Sequence, residues 1–272
     1  MMISFSKAVA SGNDFIIVDN RENKLAERIA DFEEFAKVSC KRRFSVGADG
    51  LLVLEDSGTA DFRMRIFNPD GSEVSMCGNG IRCSALYSYA KGWCGSSMKI
   101  ETGAGVLEAK VEEGYVRIKM VQPKDIKLGQ NIGVGRTFMN VHKVNTGVPH
   151  VVHFVTDIQK YPVKEMGSKI RYHTLFAPDG TNVDFVEGID KSTISARTYE
   201  RGVEDETLAC GTGVVASALI SHLIAATEQP VNVITKSDEV LKVYFKKDRN
   251  NFYDVYLEGK AHIVFEGDLT LS

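Results

Sequence analysis

The chain has 272 residues, 43% hydrophobic and 25% charged, with a formal net charge of −3; this is ordinary globular composition, and it gives no electrostatic footing for nucleic acid or an anionic membrane. The opening MMISFSKAVASGNDF lacks the basic segment and long apolar run of a secretory signal. The most apolar helix-like stretch, 214–226, is broken by Ser217, Ser221 and His222 and is too short to span a bilayer, so a cytoplasmic enzyme is expected.

In chain order, strand-like runs fall at 15–18, 50–54, 62–67, 97–101, 106–111 and 116–120. A second series follows at 151–154, 183–186, 194–199, 231–234, 240–245 and 253–257. Turn signals such as Asn68-Pro69-Asp70-Gly71 and Pro178-Asp179-Gly180 separate them. Helices are expected over 24–40, 80–91 and 213–227, with Gly92 stopping the second. Many strands around one dominant helix per half give an α+β protein of two domains, crossing over near 120–126. The expected halves are 1–118, carrying Cys77, and 119–262, carrying Cys210, with residues 263–272 packing back onto the first.

The halves read as a duplication. Cys210 lies 133 positions after Cys77, and the same offset lays SEVSMCGNGIRCSA (72–85) over DETLACGTGVVASA (205–218). It also matches Gly47 with Gly180, Leu52 with Phe185, Val53 with Val186 and Thr102 with Thr235, while Gly12 meets Gly147 two residues further on.

Five cysteines, an odd number, argue against a disulfide framework, and no CxxC pair offers the usual zinc spacing. No metal is expected. Cys40, Cys83 and Cys94 are read as packing residues. Cys77 and Cys210 differ, because each precedes Gly-x-Gly and an apolar helix. The first N–H groups of a helix lack intrahelical partners and carry partial positive charge, so such a terminus holds a carboxylate and favours a thiolate. Two such ends converging on one amino acid would put a sulfur on each face of its Cα. One thiolate would remove the proton and the other thiol would return one, while the backbone donors stabilise the developing charge. No lysine motif for a pyridoxal Schiff base stands out, so no cofactor is expected. Each residue also has a purely structural reading. Asn68 to Gly71 makes a good β-turn, Asn13 is a natural turn residue, His150 beside Pro149 is a natural core residue, and Glu200-Arg201 can be a surface ion pair.

Across essentially the whole chain the motifs resemble the diaminopimelate epimerase family. The segments are SGNDFIIVD (11–19), VGADGLLVLE (46–55), RIFNPDGSEVSMCGNGIRC (65–83), ETGAG (101–105), NTGVPHVV (145–152), TNVDFV (181–186) and ERGVEDETLACGTG (200–213). The resemblance implies two pseudo-symmetric homologous domains, each a barrel-like, mostly antiparallel sheet around a central helix. It implies interconversion of LL- and meso-diaminopimelate for lysine and peptidoglycan precursor synthesis, without pyridoxal phosphate. It makes Cys77 the proton donor and Cys210 the acceptor in one direction, supported by His150 and Glu200. Gly78, Asn79, Gly211 and Thr212 would cradle the reacting carboxylate. Asn13, Asn68, Asn182, Glu200 and Arg201 would bind substrate, with the distal end among Asn68, Asn182 and Arg201, whose planar fork suits a carboxylate. The expected partners are that small molecule and a second copy in a homodimer, with no nucleic acid or membrane.

Two positions depart from the family pattern. Gly50 stands where many members have glutamine, and Val148 where many have asparagine. Neither touches the thiol pair. The alternatives are another thiol-pair racemase of this fold, of the proline racemase or hydroxyproline epimerase kind, and a redox-regulated protein that only binds amino acids.

Overall fold

The structure is a computed structural model describing residues 2–135, 137–249 and 251–270. The chain divides into two compact units, Met1–Ile118 with Gly259–Ser272, and Lys119–Glu258. The first contains strands β1 (Met2–Ala10), β2 (Asn13–Asp19), β3 (Gly50–Glu55), β4 (Phe62–Phe67), β5 (Glu73–Val74), β6 (Ser97–Thr102), β7 (Gly105–Glu112) and β8 (Tyr115–Lys119). Its helices are α1 (Phe32–Ser39) and α2 (Gly78–Ala90). The second holds β9 (Lys124–Val134), β10 (Thr137–Asn145), β11 (Pro149–Phe154), β12 (Asn182–Gly188), β13 (Thr193–Glu200), β14 (Asp205–Thr207), β15 (Val231–Ile234), β16 (Val240–Asp248) and β17 (Asn251–Lys260). Its helices are α3 (Val163–Arg171) and α4 (Gly211–Ala225), and β18 (His262–Thr270) returns to the first unit beside β1.

The pairing within each unit repeats the same plan. In the first unit β18 and β1 are antiparallel, as are β1 and β2; β2 and β3 are parallel, and β3 and β4 antiparallel. Then β4 and β6 are parallel, followed by antiparallel β6–β7 and β7–β8. The second unit runs β9, β10, β11, β12, β13, β15, β16, β17 with the same order of orientations. A short helix occupies the first parallel crossover of each unit, α1 between β2 and β3 and α3 between β11 and β12, and a long helix the second. Each long helix follows the short strand, β5 or β14.

The two faces of each sheet bury different partners, because side chains alternate along a strand. Ile16, Val18, Leu51, Val53 and Phe67 pack with Phe35 and Ala36 of α1. Val151, Val183, Phe185 and Tyr199 pack with Val163 and Ile170 of α3, while Val152 and Val186 take the opposite face with Val215 and Leu219 of α4. In α4 every residue from Gly213 to Ser221 is buried, as expected for a helix apolar on all sides.

Several expectations change. The helix expected over 24–40 shrinks to α1, because Asp31 caps it, accepting a hydrogen bond from the Glu33 N–H. Ahead of it, Asn20 accepts the Leu25 N–H and holds the segment in turns. Strands β1, β5, β9, β10, β14 and β18 and helix α3 have no counterpart among the expected elements. In β9 the glycines and polar residues depress strand propensity, and pairing with β10 overrides it. The constant offset also slips by one residue inside the sheets: Leu52 opposes Ile66 where Asp184 opposes Thr198, so Leu52 corresponds to Asp184 and not to Phe185. Among the described residues no helix is long and apolar enough to cross a membrane.

Candidate active site

The two cysteines occupy equivalent places. Cys77 is the N-cap of α2 and Cys210 the N-cap of α4, both in extended conformation with φ −145° and ψ 121°, and φ −112° and ψ 110°. Their carbonyls accept the first helical hydrogen bonds, from Ile81 N and Val214 N, each at 2.9 Å. Both helices therefore begin two residues earlier than the sequence suggests, and Gly78-Asn79 and Gly211-Thr212 form the first turns, whose N–H groups point out of the helix. Around Gly78 there is open space on the side where a Cβ would project. The α2 helix ends as expected at Gly92, which adopts φ +70°.

In the first unit Asn79 is buried and its amide donates to Asn13 Oδ1 at 2.5 Å. Arg82, fully buried one turn on, donates from Nη2 to Asn79 Oδ1 at 2.7 Å and to Ser11 Oγ. Asn13 in turn donates to Asp49 Oδ2 at 3.4 Å. Asp49 belongs to an ion-pair group with Arg42, Asp14 and Lys7. Asn68 opens the expected Asn68–Gly71 turn, and its amide donates to Ser72 Oγ at 3.0 Å.

The second unit assembles a longer polar chain. His150 is fully buried, with Nδ1 2.7 Å from Asp184 Oδ2 and Nε2 2.9 Å from Thr212 Oγ1. That hydroxyl lies 3.4 Å from Cys210 Sγ. Asp184 Oδ1 accepts the Thr198 hydroxyl at 2.7 Å, and Thr146 Oγ1 donates to the Thr212 carbonyl at 2.9 Å. Asn182 Oδ1 accepts the Arg201 N–H at 2.8 Å, while its amide donates to the Pro149 carbonyl. The Arg201 guanidinium reaches the Asp179 carbonyl, so Glu200-Arg201 does not stand as a simple exposed pair.

Burial pushes the Cys210 thiol far above its ordinary range, and the carboxylates of Glu200 and Asp184 push in the same direction. The Thr212 hydroxyl and the Gly213 amide oppose them and lose. Burial of the sulfur therefore acts against the lowering expected of a thiol at a helix N-terminus. Burial likewise raises the Glu200 carboxyl. Cys40 behaves as a packing residue, 2% exposed, its thiol pushed up to about 11 by burial. Cys83 is also buried.

The sequence reading missed Asp184, Thr198, Asp49 and Arg82. Asp184 left a usable signal, an acid inside the otherwise apolar run Val183-Asp184-Phe185-Val186, where an unpaired charge is rarely tolerated.

The sequence model of the diaminopimelate epimerase family matches residues 5–124 and 142–264. The chain belongs to the diaminopimelate epimerase family. Among members of that family it is 42% identical to the diaminopimelate epimerase of Aquifex aeolicus (strain VF5), over 98% of both chains. It is 41% identical to that of Archaeoglobus fulgidus, over 100% of this chain and 98% of the relative. The fold extends further than the family. A PhzF-family phenazine biosynthesis protein of Bacillus anthracis superposes with a TM-score of 0.74 at 19% identity, covering 100% of both chains. A hydroxyproline epimerase of Agrobacterium vitis superposes with a TM-score of 0.67 at 14% identity, over 99% of this chain and 93% of that one. At those identities the likeness is one of fold.

Proposed function

We propose that this protein is a cofactor-independent epimerase that interconverts LL- and meso-diaminopimelate, with Cys77 and Cys210 as its proton-transfer groups. The observation that carries the reading is the repeated placement of a cysteine at the N-cap of each unit's long buried helix, in a member of the diaminopimelate epimerase family. In one direction Cys77 donates and Cys210 accepts; in the other they exchange roles. The reacting carboxylate takes hydrogen bonds from the N–H groups of Gly78-Asn79 and Gly211-Thr212, which stabilise charge delocalised from Cα in the transition state. Asn13, Asn68, Asn182 and Arg201 hold the remaining substrate groups, and His150 and Glu200 govern the protonation of the thiols. A Cα proton is only weakly acidic, so a thiolate whose conjugate acid has a raised pKa is the better-matched base. The protein acts in the cytoplasm, in the supply of lysine and peptidoglycan precursors.

The test is turnover of LL-diaminopimelate in deuterium oxide, with L-proline and simple L-amino acids as comparison substrates. Deuterium should enter at Cα with diaminopimelate alone, and Cys77→Ala and Cys210→Ala should each abolish epimerisation. Full activity in either variant would end the two-thiol mechanism.

A further inference from the structure

The duplicated units differ beneath one pair of matching glycines. In the first unit Phe15 opposes Gly50 and Leu52 opposes Ile66; in the second His150 opposes Asn182 and Asp184 opposes Thr198. The third residue of each long helix rests on these pairs. A Cβ on Gly80 would meet Leu52 Cδ2 at 3.1 Å and Ile66 Cδ1 at 3.5 Å, and one on Gly213 would overlap Asp184 Oδ1 and meet Thr198 Oγ1 at 3.0 Å. Phe15, Leu52 and Ile66 therefore correspond to His150, Asp184 and Thr198. The same fold is filled with three apolar side chains in one half and three polar ones in the other, all but one of the six at most 3% exposed and Thr198 at 5%. Burying ionisable groups costs free energy that an apolar trio avoids, so the polar set is explained by chemistry rather than by stability.

We propose that Asp184 is a positioning residue for the reaction: it fixes the tautomer and orientation of His150 and, through Thr212, the direction of the hydrogen bonds that reach Cys210. The inference rests on the reading of Cys210 as a proton-transfer thiol. A carboxylate only accepts, so Asp184 Oδ2 takes the His150 Nδ1–H, while Thr198 holds the other oxygen. The neutral ring then presents its Nε2 lone pair to the Thr212 hydroxyl proton, and the Thr212 oxygen is left to accept the Cys210 S–H. When Cys210 becomes the base, its proton passes to Thr212 Oγ1 as the Thr212 proton passes to His150 Nε2. The products are a thiolate, an intact hydroxyl and an imidazolium held by Asp184, with no change in net charge. The groups that act on Cys210 are Asp184 from β12, Glu200 from β13, and Thr212 and the Gly213 amide from α4, with His150 of β11 joined through Thr212. Two of these are carboxylates, so the imidazolium is the cation that offsets the thiolate. The matching positions in the first unit, Phe15 and Leu52, carry no ionisable group.

Asp184→Asn tests this, because a neutral amide can present its N–H to Nδ1, which favours the opposite tautomer, and in either orientation it cannot offset the charge of an imidazolium. The expected fall in kcat is about 10²- to 10⁴-fold, the range attributed to positioned acid–base assistance. The deciding readout is the pH dependence of iodoacetamide alkylation at Cys210, quantified by peptide mass spectrometry with the Cys77 peptide as internal reference. Loss of imidazolium support moves the Cys210 midpoint to higher pH, while the Cys77 midpoint stays. Simple removal of a repelling carboxylate moves the Cys210 midpoint to lower pH, and that result overturns the proposal. So does a fall in kcat with an unmoved midpoint, or wild-type kcat. If Asp184→Asn does not fold, the pair Asp184→Leu with Thr198→Ile copies the packing under Gly80 and is read by the same criteria. Failure of the wild-type protein to exchange Cα deuterium defeats the epimerase reading instead, and the alkylation midpoint still reports on Asp184.

Discussion

Gly213 lies directly over the carboxylate of Asp184, close enough that a single added carbon would overlap Oδ1. At Gly80 the neighbour is the methyl end of Leu52, which can rotate away. Alanine in place of a helical glycine gains about 1 kcal/mol in propensity, whereas overpacking costs about 1–3 kcal/mol. Gly80→Ala should therefore be close to neutral, and Gly213→Ala should destabilise by about 2 kcal/mol. Urea unfolding with a shared m-value measures both, and equal midpoints for the two variants would contradict the asymmetry.

Thr212→Val keeps the backbone N–H proposed to hold the reacting carboxylate and removes the hydroxyl linking His150 to Cys210. Activity should fall by about 10²-fold, within the range attributed to assisted proton transfer, with little change in KM. Alkylation of Cys210 should shift to higher pH, since the hydroxyl lowers the thiol pKa and the two carboxylates that raise it stay in place. Initial-rate kinetics and mass spectrometry test the two halves of this expectation separately.

Acid should weaken the first unit through Asp14. Burial pushes its carboxyl up, but hydrogen bonds from Arg42, Lys7 and Asp49 prevail and hold it at about 2, below the ordinary 3.8. A depressed carboxylate stabilises the fold fully above its unfolded pKa, and that contribution disappears as pH falls from 3.8 through about 2. The Arg42 side chain is 57% exposed, so solvent screening reduces the expected loss to about 1 kcal/mol. Urea midpoints at pH 5 and pH 3 should differ in the wild type, and Asp14→Asn should narrow that difference.

Two buried serines recur in each long helix, Ser84 and Ser88 in α2 and Ser217 and Ser221 in α4, all four at 0% exposure. Their hydroxyls find no hydrogen-bond partner among the described residues. Removing an unsatisfied buried hydroxyl is close to neutral or stabilising. Ser217→Ala and Ser221→Ala should each change stability by about 0 to +1 kcal/mol and leave kcat as it is. A loss of more than about 1 kcal/mol in thermal unfolding would show that these hydroxyls are bonded in solution.

Local chemistry made part of this molecule readable. The Cys-Gly-x-Gly segments announced two helix starts, because glycine and an uncapped first turn leave a local signature, and the 133-residue recurrence announced two equivalent halves. Strands with buried apolar runs, such as β3 and β12, were legible for the same reason. Polar strands were not. In β10, Thr137, Phe138 and Asn140 are exposed, and the segment is a strand because β9 and β11 lie on either side of it.

By itself the sequence determined the fold class, the duplication and the pair of cysteines, since each depends on residue types at short, fixed spacings. Tertiary structure alone decided that Asp184 lies beside His150 and that both lie under α4, through strands that meet only after long connections. It also decided that burial pushes the Cys210 thiol upward, because desolvation is set by everything packed around a sulfur, and no local motif encodes that enclosure.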